Sequence, residues 1–484
     1  MELLALRSYS FLWWALSPAL LVYLSYRGVR QAAYRSHWGE RFRLGAESRA
    51  SATETRWIWV HAVSLGETQA ASPLLSELSR RHPGHGILLS HGTPTGRRAG
   101  AAILERLGGQ APTRRAAGDG SRSPTRQIYL PYDRIGLARD FLRSFRPVLG
   151  IIIETEVWPS LMYCAAALKI PMVLASGRLS ARSLQKAQRF SLLLRPALAS
   201  FSRILVQTGE DRGRVEQLIG TQHPGIAVVG NLKFDFELDP ALLALGEALK
   251  KHLSSAAAGE RLPVRSGLQW IVCASTRQGE EATLLGQWLS IGPGLRQGVG
   301  IVIVPRHPER FEEVAGLLDQ HLGAGAWSRR SAWPSQAESA TAVLPPVSTR
   351  EPGAAAGLPD LVLGDTMGEM AVWYTLSACV IMGGSIGNTG SQNLIEACHA
   401  GKPVVLGPSI YNFERAARMA CDAGAAVQVP SQQVMLEALN IVRDRSRCAQ
   451  MSGAARSFVQ AHRGATLRIA DAMDTLLGAS PDKG

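Results

Sequence analysis

From Arg56 onward, short apolar runs alternate with stretches whose apolar residues recur at helical spacing. Trp57–Val60, Gly86–Ser90, Val148–Ile153, Pro171–Ala175 and Arg203–Gln207 read as strands. Thr68 to Arg80, with Leu74, Leu75 and Leu78 along one stripe, reads as the helix after the first of them. A second series follows at Trp270–Ala274, Gly300–Val304, Leu361–Leu363, Cys379–Met382 and Pro403–Leu406. Strands alternating with helices are the signature of a parallel sheet wrapped by helices, so the expected class is α/β, with two doubly wound domains. The strand pattern lapses between Val229 and Arg265, where a Leu- and Ala-rich helical stretch lies. The chain therefore divides into an N-terminal segment (1–50), a first domain (51–230), a linker (231–265) and a second domain with C-terminal helices (266–484). Two such domains facing each other across a cleft suit a reaction between two different substrates. Gly108 to Arg126 and Ser328 to Leu358, rich in Pro, Gly, Ser and Arg, have the composition of surface insertions that bury too little apolar surface to order themselves.

The N-terminal segment changes the picture. Phe11 to Tyr26 is almost uninterrupted apolar sequence with Trp13, Trp14, Tyr23 and Tyr26 near its ends, and it lacks a small-residue cleavage site, so it reads as a membrane-anchor helix. It is shorter than the roughly 20 residues of an untilted span, and Pro18 interrupts it. A short transmembrane helix and a helix lying in the interface are both consistent with it, and a buried hairpin helix is the plain alternative. Arg27, Arg30, Arg35, Arg41 and Arg43 follow it against Arg7 before it, a bias that puts the body of the protein in the cytoplasm. Because the anchor precedes both domains, its removal is expected to cost membrane binding and not turnover.

The net charge of +13 on 484 residues admits a nucleic-acid partner, an anionic membrane surface or an anionic substrate. The basic residues are spread along the chain with no nucleic-acid-binding motif around them, so no nucleic acid is expected. The six cysteines show no CxxC or Cys/His ligand spacing; they indicate neither a zinc site nor a disulfide framework, and read as reduced core residues.

Candidate chemistry clusters where strands end. His61-Ala62-Val63-Ser64-Leu65-Gly66-Glu67 puts one carboxylate in a turn after the first strand, at the sheet edge where open α/β folds bind ligands. Glu67 is thus a candidate base, or else an acidic residue favoured in the first turn of a helix. Glu154 and Glu156 end another strand and, if it stays extended, point the same way; each would raise the other's pKa. The alternative is that they cap the following helix. Ser275 and Thr276 offer hydroxyls and backbone N–H groups to a phosphate, and Arg306 offers a guanidinium. The glycine-rich run Met382 to Glu396 allows close backbone approach, with Asn393 and Glu396 on one face of the helix it opens. Gly364 to Met370 supplies another polar loop beside it.

These segments together resemble the 3-deoxy-D-manno-octulosonic acid (Kdo) transferases that decorate the lipid A precursor, nearly end to end. The marks are Tyr34-Arg35 with Trp38-Gly39-Glu40-Arg41-Phe42, the Glu67 loop, Gly92-Thr93-Pro94-Thr95-Gly96, Leu130-Pro131-Tyr132-Asp133, Glu154-Thr155-Glu156-Val157-Trp158-Pro159 and Gly230-Asn231-Leu232-Lys233-Phe234-Asp235. The second half adds Pro305-Arg306, Gly364 to Met370, Asn393 to Glu396 and Gly407-Pro408 with Asn412-Phe413. The resemblance implies a GT-B glycosyltransferase of two Rossmann-like domains. It implies inverting transfer of Kdo from CMP-Kdo to the lipid A precursor at the inner membrane, on the cytoplasmic side, with no metal and no cofactor. It places the base on Glu67, charge-stabilising roles on Glu156 and Lys233, and CMP contacts on Pro305, Arg306, Gly368, Glu369, Met370, Asn393, Leu394, Ile395 and Glu396. The chain departs from the family where Arg277 and Ser409 each stand for a frequent His, and Ser391-Gln392 for Gly-His. The rival expectations are another GT-B enzyme using a different nucleotide sugar, and a membrane-tethered nucleotide-binding scaffold.

Overall fold

Trp57 and Trp59 face one side of the first sheet and Ile58 and Val60 the other, and all four are buried. Covering on both faces is why the central strands read as continuous apolar runs. The computed structural model describes residues 2–42, 55–109, 124–255, 267–323, 325–333 and 360–478. They build two parallel sheets of seven strands. The first comprises β1 (Trp57–His61), β2 (Gly86–His91), β3 (Thr125–Tyr129), β4 (Leu149–Ile153), β5 (Met172–Gly177), β6 (Arg203–Val206) and β7 (Ile226–Val228), in the order β3-β2-β1-β4-β5-β6-β7. The second comprises β8 (Gln269–Thr276), β9 (Val299–Pro305), β10 (Ser328–Arg329), β11 (Leu361–Leu363), β12 (Ser377–Met382), β13 (Val404–Leu406) and β14 (Ala426–Gln428), in the order β10-β11-β9-β8-β12-β13-β14. In both sheets the order reverses beside the first strand, between β1 and β4 and between β8 and β12, the switch point at which such folds bind ligands.

The chain divides into two compact units, Met1–Phe236 with His462–Gly484, and Glu237–Ala461. The boundaries differ from those expected. The last helix, Ala465–Gly478, belongs to the first unit: Ala465, Ile469, Ala470 and Met473 join Ile58, Val60 and Leu74 in one core cluster. Arg81 holds it from outside, through Asp471 at 2.7 Å and Asp474 at 2.6 Å. In place of a linker over 231–265, a 3₁₀ turn (Leu232–Phe234) sits in the first unit and a helix (Pro240–Ser255) in the second; residues 256–266 lie outside the described residues. The stretches expected as insertions are ordered at their edges, because β3 begins at Thr125 and β10 takes Ser328 and Arg329. Residues 110–123 and 334–359 lie outside the described residues.

The expected anchor is two helices. Glu2–Ala15 and Ser17–Arg30 meet at Leu16, with Pro18 in the first turn of the second, where its missing N–H removes no helical bond. Each has 14 residues, about 21 Å of helix, against a hydrocarbon layer of about 30 Å. Among the described residues no helix is long and apolar enough to cross a membrane. Leu3, Leu4, Phe11, Leu12, Trp14, Val22, Tyr23, Tyr26 and Val29 are nonetheless exposed.

Candidate active site

In the first unit the segments after β1, β4 and β7 bring three carboxylates and one ammonium together. Glu67 lies in the first turn of the Leu65–Arg81 helix, which opens with a capping box: the Glu67 N–H donates to Ser64 Oγ at 3.3 Å, and Glu67 Oε2 accepts from the N–H groups of Val63 (2.6 Å) and Ser64 (3.2 Å). The helix-start role and the base role are therefore not alternatives. The cap occupies Oε2 and takes up neither lone pair of Oε1. Burial, then the charges of Glu154 and Glu156, push the carboxyl up to about 7, although the Val63 and Ser64 N–H groups oppose the shift. A carboxyl poised there is half ionised near neutral pH.

Glu154 and Glu156 do not point the same way along an extended strand, because Glu154 takes a left-handed backbone at φ +64° and ends the alternation. Its carboxylate meets Lys233 Nζ at 2.5 Å. Glu156 accepts from the Trp158 indole at 3.0 Å; burial raises its pKa, the indole bond lowers it and Glu154 raises it further. Lys233 is carried by the Gly230 to Asp235 stretch, and its neighbours explain that motif. Asn231 Oδ1 accepts from the Lys233 N–H at 3.0 Å, and the Asp235 carboxylate accepts from the N–H groups of Gly464 (2.6 Å) and Thr466, at the start of the last helix. His61, at the end of β1, is no rival base: burial pushes its imidazole down to about 3, so it is neutral.

In the second unit, Arg306 follows β9, and its charge acts on Glu396, whose pKa burial raises while Asn393 and Arg306 oppose the rise. Asn393 Nδ2 donates to Glu396 Oε1 at 3.0 Å, and Asn393 Oδ1 accepts from the Ile395 N–H at 3.2 Å. Pro305 and Arg306 thus stand at the end of β9, and Asn393 and Glu396 in the loop and helix that follow β12, with β8 between the two strands. Leu394 and Ile395 bury their side chains in the core and have only backbone to offer a ligand. Gly368 has φ +85°, a conformation that favours glycine, and Glu369 is paired with Arg330 at 2.8 Å beside Met370. Thr276 is buried and donates its hydroxyl to Glu281 at 2.6 Å, so that hydroxyl is not free for a phosphate; Ser275 sits beside it at φ +56°.

The glycine-rich loop after β12 differs from the open phosphate cradle that its composition suggests. Glu280, 3% exposed at the start of the Glu280–Ser290 helix, accepts from the N–H groups of Gly384 (2.8 Å), Ile386 (3.1 Å), Gly387 (3.0 Å) and Arg277 (2.8 Å). The carboxylate fills that nest. Arg277 donates to His307 Nε2 at 2.7 Å and, with the Gln392 amide oriented to satisfy both groups, to its oxygen at 3.2 Å, so this departure from the family pattern joins three loops. Among the described residues no group of three His, Cys, Asp or Glu side chains is placed to hold a metal ion.

A 3-deoxy-D-manno-octulosonic acid transferase of Bordetella pertussis is 40% identical over 470 residues, spanning 96% of this chain and 97% of its own. The chain belongs to the 3-deoxy-D-manno-octulosonic acid transferase family. A Haemophilus influenzae relative of the same description is 29% identical over 95% of this chain and 96% of its own. The family model for 3-deoxy-D-manno-octulosonic-acid transferase (kdotransferase) matches residues 36–236. In structure, the chain is similar to the UDP-GlcNAc 2-epimerase from Neisseria meningitidis bound to UDP-GlcNAc, with a TM-score of 0.53 at 13% identity over 87% of this chain and all of that one. A likeness at that identity shows the fold alone.

As a Kdo transferase, the protein is a glycosyltransferase. Two residues of its site region carry roles that the sequence did not reveal. Glu280 holds the glycine-rich loop, and Asp133, buried at the end of the Leu130 to Asp133 mark, accepts from the N–H groups of Ser160 (3.0 Å) and Leu161 (2.8 Å). Asp133 lies within a quoted motif and Glu280 just after Ser275 and Thr276, but apart from Arg277 these partners are 27 to 107 residues away, beyond any local spacing rule.

Proposed function

We propose that this protein transfers Kdo from CMP-Kdo to the lipid A precursor, with inversion, at the cytoplasmic face of the inner membrane. The observation that carries the reading is Glu67, a half-buried carboxyl raised to about 7 beside the Glu154–Lys233 pair, in a chain of this family. As the acceptor hydroxyl attacks the anomeric carbon, Glu67 Oε1 takes its proton, and the bond to the CMP phosphate breaks with the electron pair leaving on CMP. CMP is a weak base and needs no acid partner, so cations suffice: Arg306 for the phosphate, with Glu396 and Asn393 for the ribose. Lys233 and Glu156 hold the charge around the reacting centre. The two short N-terminal helices, with their exposed Phe11, Trp14, Tyr23 and Tyr26, lie in the membrane interface and bring the site to an acceptor that cannot leave the bilayer.

Mass spectrometry of the lipid A precursor after incubation with CMP-Kdo tests the transfer. A mass gain of one or more Kdo residues is expected, and an unchanged acceptor refutes it. The fold likeness to an enzyme bound to UDP-GlcNAc makes a uridine-diphosphate donor the specific rival. Calorimetry with CMP and with UDP separates the two, and tighter UDP binding would favour the rival. Flotation with liposomes tests the interfacial helices; a protein that stays at the bottom of the gradient has no membrane contact.

A further inference from the structure

The segment Trp38–Phe42, which follows the two N-terminal helices, carries two charges into the first unit. Glu40 is 8% exposed and Arg41 6%, and charged side chains are covered that deeply only when they are paired. Glu40 accepts from the Tyr129 N–H at 2.8 Å, on the edge strand β3, and from both terminal nitrogens of Arg97. Arg41 lies over the Tyr129 ring, 3.8 Å from its centroid, and donates to the Gly92 carbonyl at 3.0 Å. A segment that only joined membrane-bound helices to the rest of the chain would need neither buried charge.

At Gly92 this contact reaches the candidate base. Gly92 begins the loop between β2 and the Pro94–Gly109 helix, and that loop clamps Val63. The Val63 carbonyl accepts from the Gly92 N–H (3.0 Å), the Thr93 N–H (3.1 Å) and the Thr93 hydroxyl (3.1 Å). The same hydroxyl accepts from the Gly96 N–H at 3.2 Å. The approach is close: a Cβ on Gly92 would lie 2.6 Å from Val63 Cγ1, and one on Gly96 3.2 Å from the Ser64 carbonyl carbon. Val63 in turn gives its N–H to Glu67 Oε2 at 2.6 Å, the shorter of the two bonds in the cap. Arg41, Gly92, Val63 and Glu67 are therefore joined contact by contact. Three marks of the family that lie apart in sequence, Trp38 to Phe42, the Glu67 loop and Gly92 to Gly96, form one assembly.

We propose that the Trp38–Phe42 segment is part of the active-site framework: Arg41, through Gly92 and Val63, holds the Glu67 carboxylate in its cap. Arg41 is a positioning residue, not a catalytic one. The proposal rests on the reading of Glu67 as the base, and it puts the limit of any dispensable N-terminal segment before Trp38. The Val63 and Ser64 N–H groups favour the ionised carboxylate, so loosening Val63 should raise the pH at which Glu67 titrates. Glu154 and Glu156, which also act on this carboxyl, and Lys233, paired with Glu154, lie on other segments and stay as they are.

The test is Arg41→Met in the full chain, which keeps a side chain over the Tyr129 ring and removes the donor to Gly92. At saturating CMP-Kdo, turnover of detergent-dispersed acceptor should fall about three- to tenfold, the scale of one hydrogen bond, with the Kd for CMP unchanged. The pH midpoint of turnover should rise, and amide exchange over residues 62–68 should be faster. Thr93→Val removes a bond at the next contact, so it should act in the same direction, and the double variant should lose less than the two losses multiplied. Wild-type exchange over 62–68 in Arg41→Met overturns the proposal. An unmoved midpoint also overturns it, whatever the turnover, because general destabilisation would leave the titration of Glu67 alone. Faster exchange in a protein whose Glu67→Gln variant turns over normally would keep the coupling and overturn the reading of Glu67 as the base. If Arg41→Met fails to fold, Thr93→Val decides on the same measurements.

Discussion

Glu67→Gln should lower turnover about 100-fold or more, the scale of general-base catalysis, while making the fold more stable above neutral pH. Both effects follow from the same carboxyl. Burial and the neighbouring Glu154 and Glu156 lift it from 4.5 to about 7. At about 1.4 kcal/mol per pH unit, ionising it in the folded protein costs about 3 kcal/mol more than in the unfolded chain. The folded state binds this proton more tightly, so the contribution to stability is fully present below 4.5, declines as pH rises, and is lost through about 7. Gln cannot ionise, yet its carbonyl oxygen can still accept from Val63 and Ser64 as Oε2 does. At pH 8 the variant should therefore be more stable than wild type by up to about 3 kcal/mol, and unfold at a higher temperature. Turnover has the opposite dependence, because only the ionised form takes a proton: the wild-type rate should rise through about pH 7 and fall about tenfold per unit below it. Initial rates at saturating donor and acceptor from pH 5 to 9, with thermal melts across the same range, read both. A wild-type rate flat between pH 5.5 and 8, or a Glu67→Gln variant less stable than wild type at pH 8, refutes the reasoning.

Arg306→Ala should weaken CMP binding by about 2–3 kcal/mol, the loss of a charge-assisted bond, and calorimetry with CMP would measure it. Glu280→Gln puts an amide NH₂ among the N–H groups of Gly384, Ile386 and Gly387; it should destabilise the fold by about 2–3 kcal/mol in denaturant titration and raise the KM for CMP-Kdo. Ser391, buried with φ +70°, stands where glycine is at ease, and Ser391→Gly should stabilise the fold by about 0.5–1 kcal/mol in thermal melts.

The ten strands visible in the sequence are the inner ones, and the four that were missed, β3, β7, β10 and β14, are the edges of the two sheets. An edge strand is covered on fewer sides: β7 exposes Ala227 and Val228, and β10 has two residues. β10 yields no apolar run, Ile226 to Val229 is a run of only four residues, and β3 begins inside a stretch whose composition reads as insertion. C-terminal helices were expected, but they were assigned to the second domain, and nothing local says that the last one joins the core of the first. Of the site, the strand-end carboxylates and Arg306 were legible because a charge directly after an apolar run is a local signal. The left-handed turn at Glu154, the filled nest at Glu280 and the cap at Asp133 were not, since each is decided by a partner far along the chain.

The return of the last helix to the first sheet makes the second unit an insertion in the polypeptide rather than its tail. Asp235 already bonds the Gly464 N–H at 2.6 Å, so the points where the chain leaves the first unit and re-enters it are neighbours. A gene cut once between the two would strand the first product without Ile469 and Met473, opening the core cluster that they share with Ile58, Val60 and Leu74. A gene from which the middle was excised, rejoining Phe236 to His462, would keep every layer of that core. The protein is thus modular by excision and not by scission, and a homologous donor unit could be exchanged only as a cassette with both ends matched.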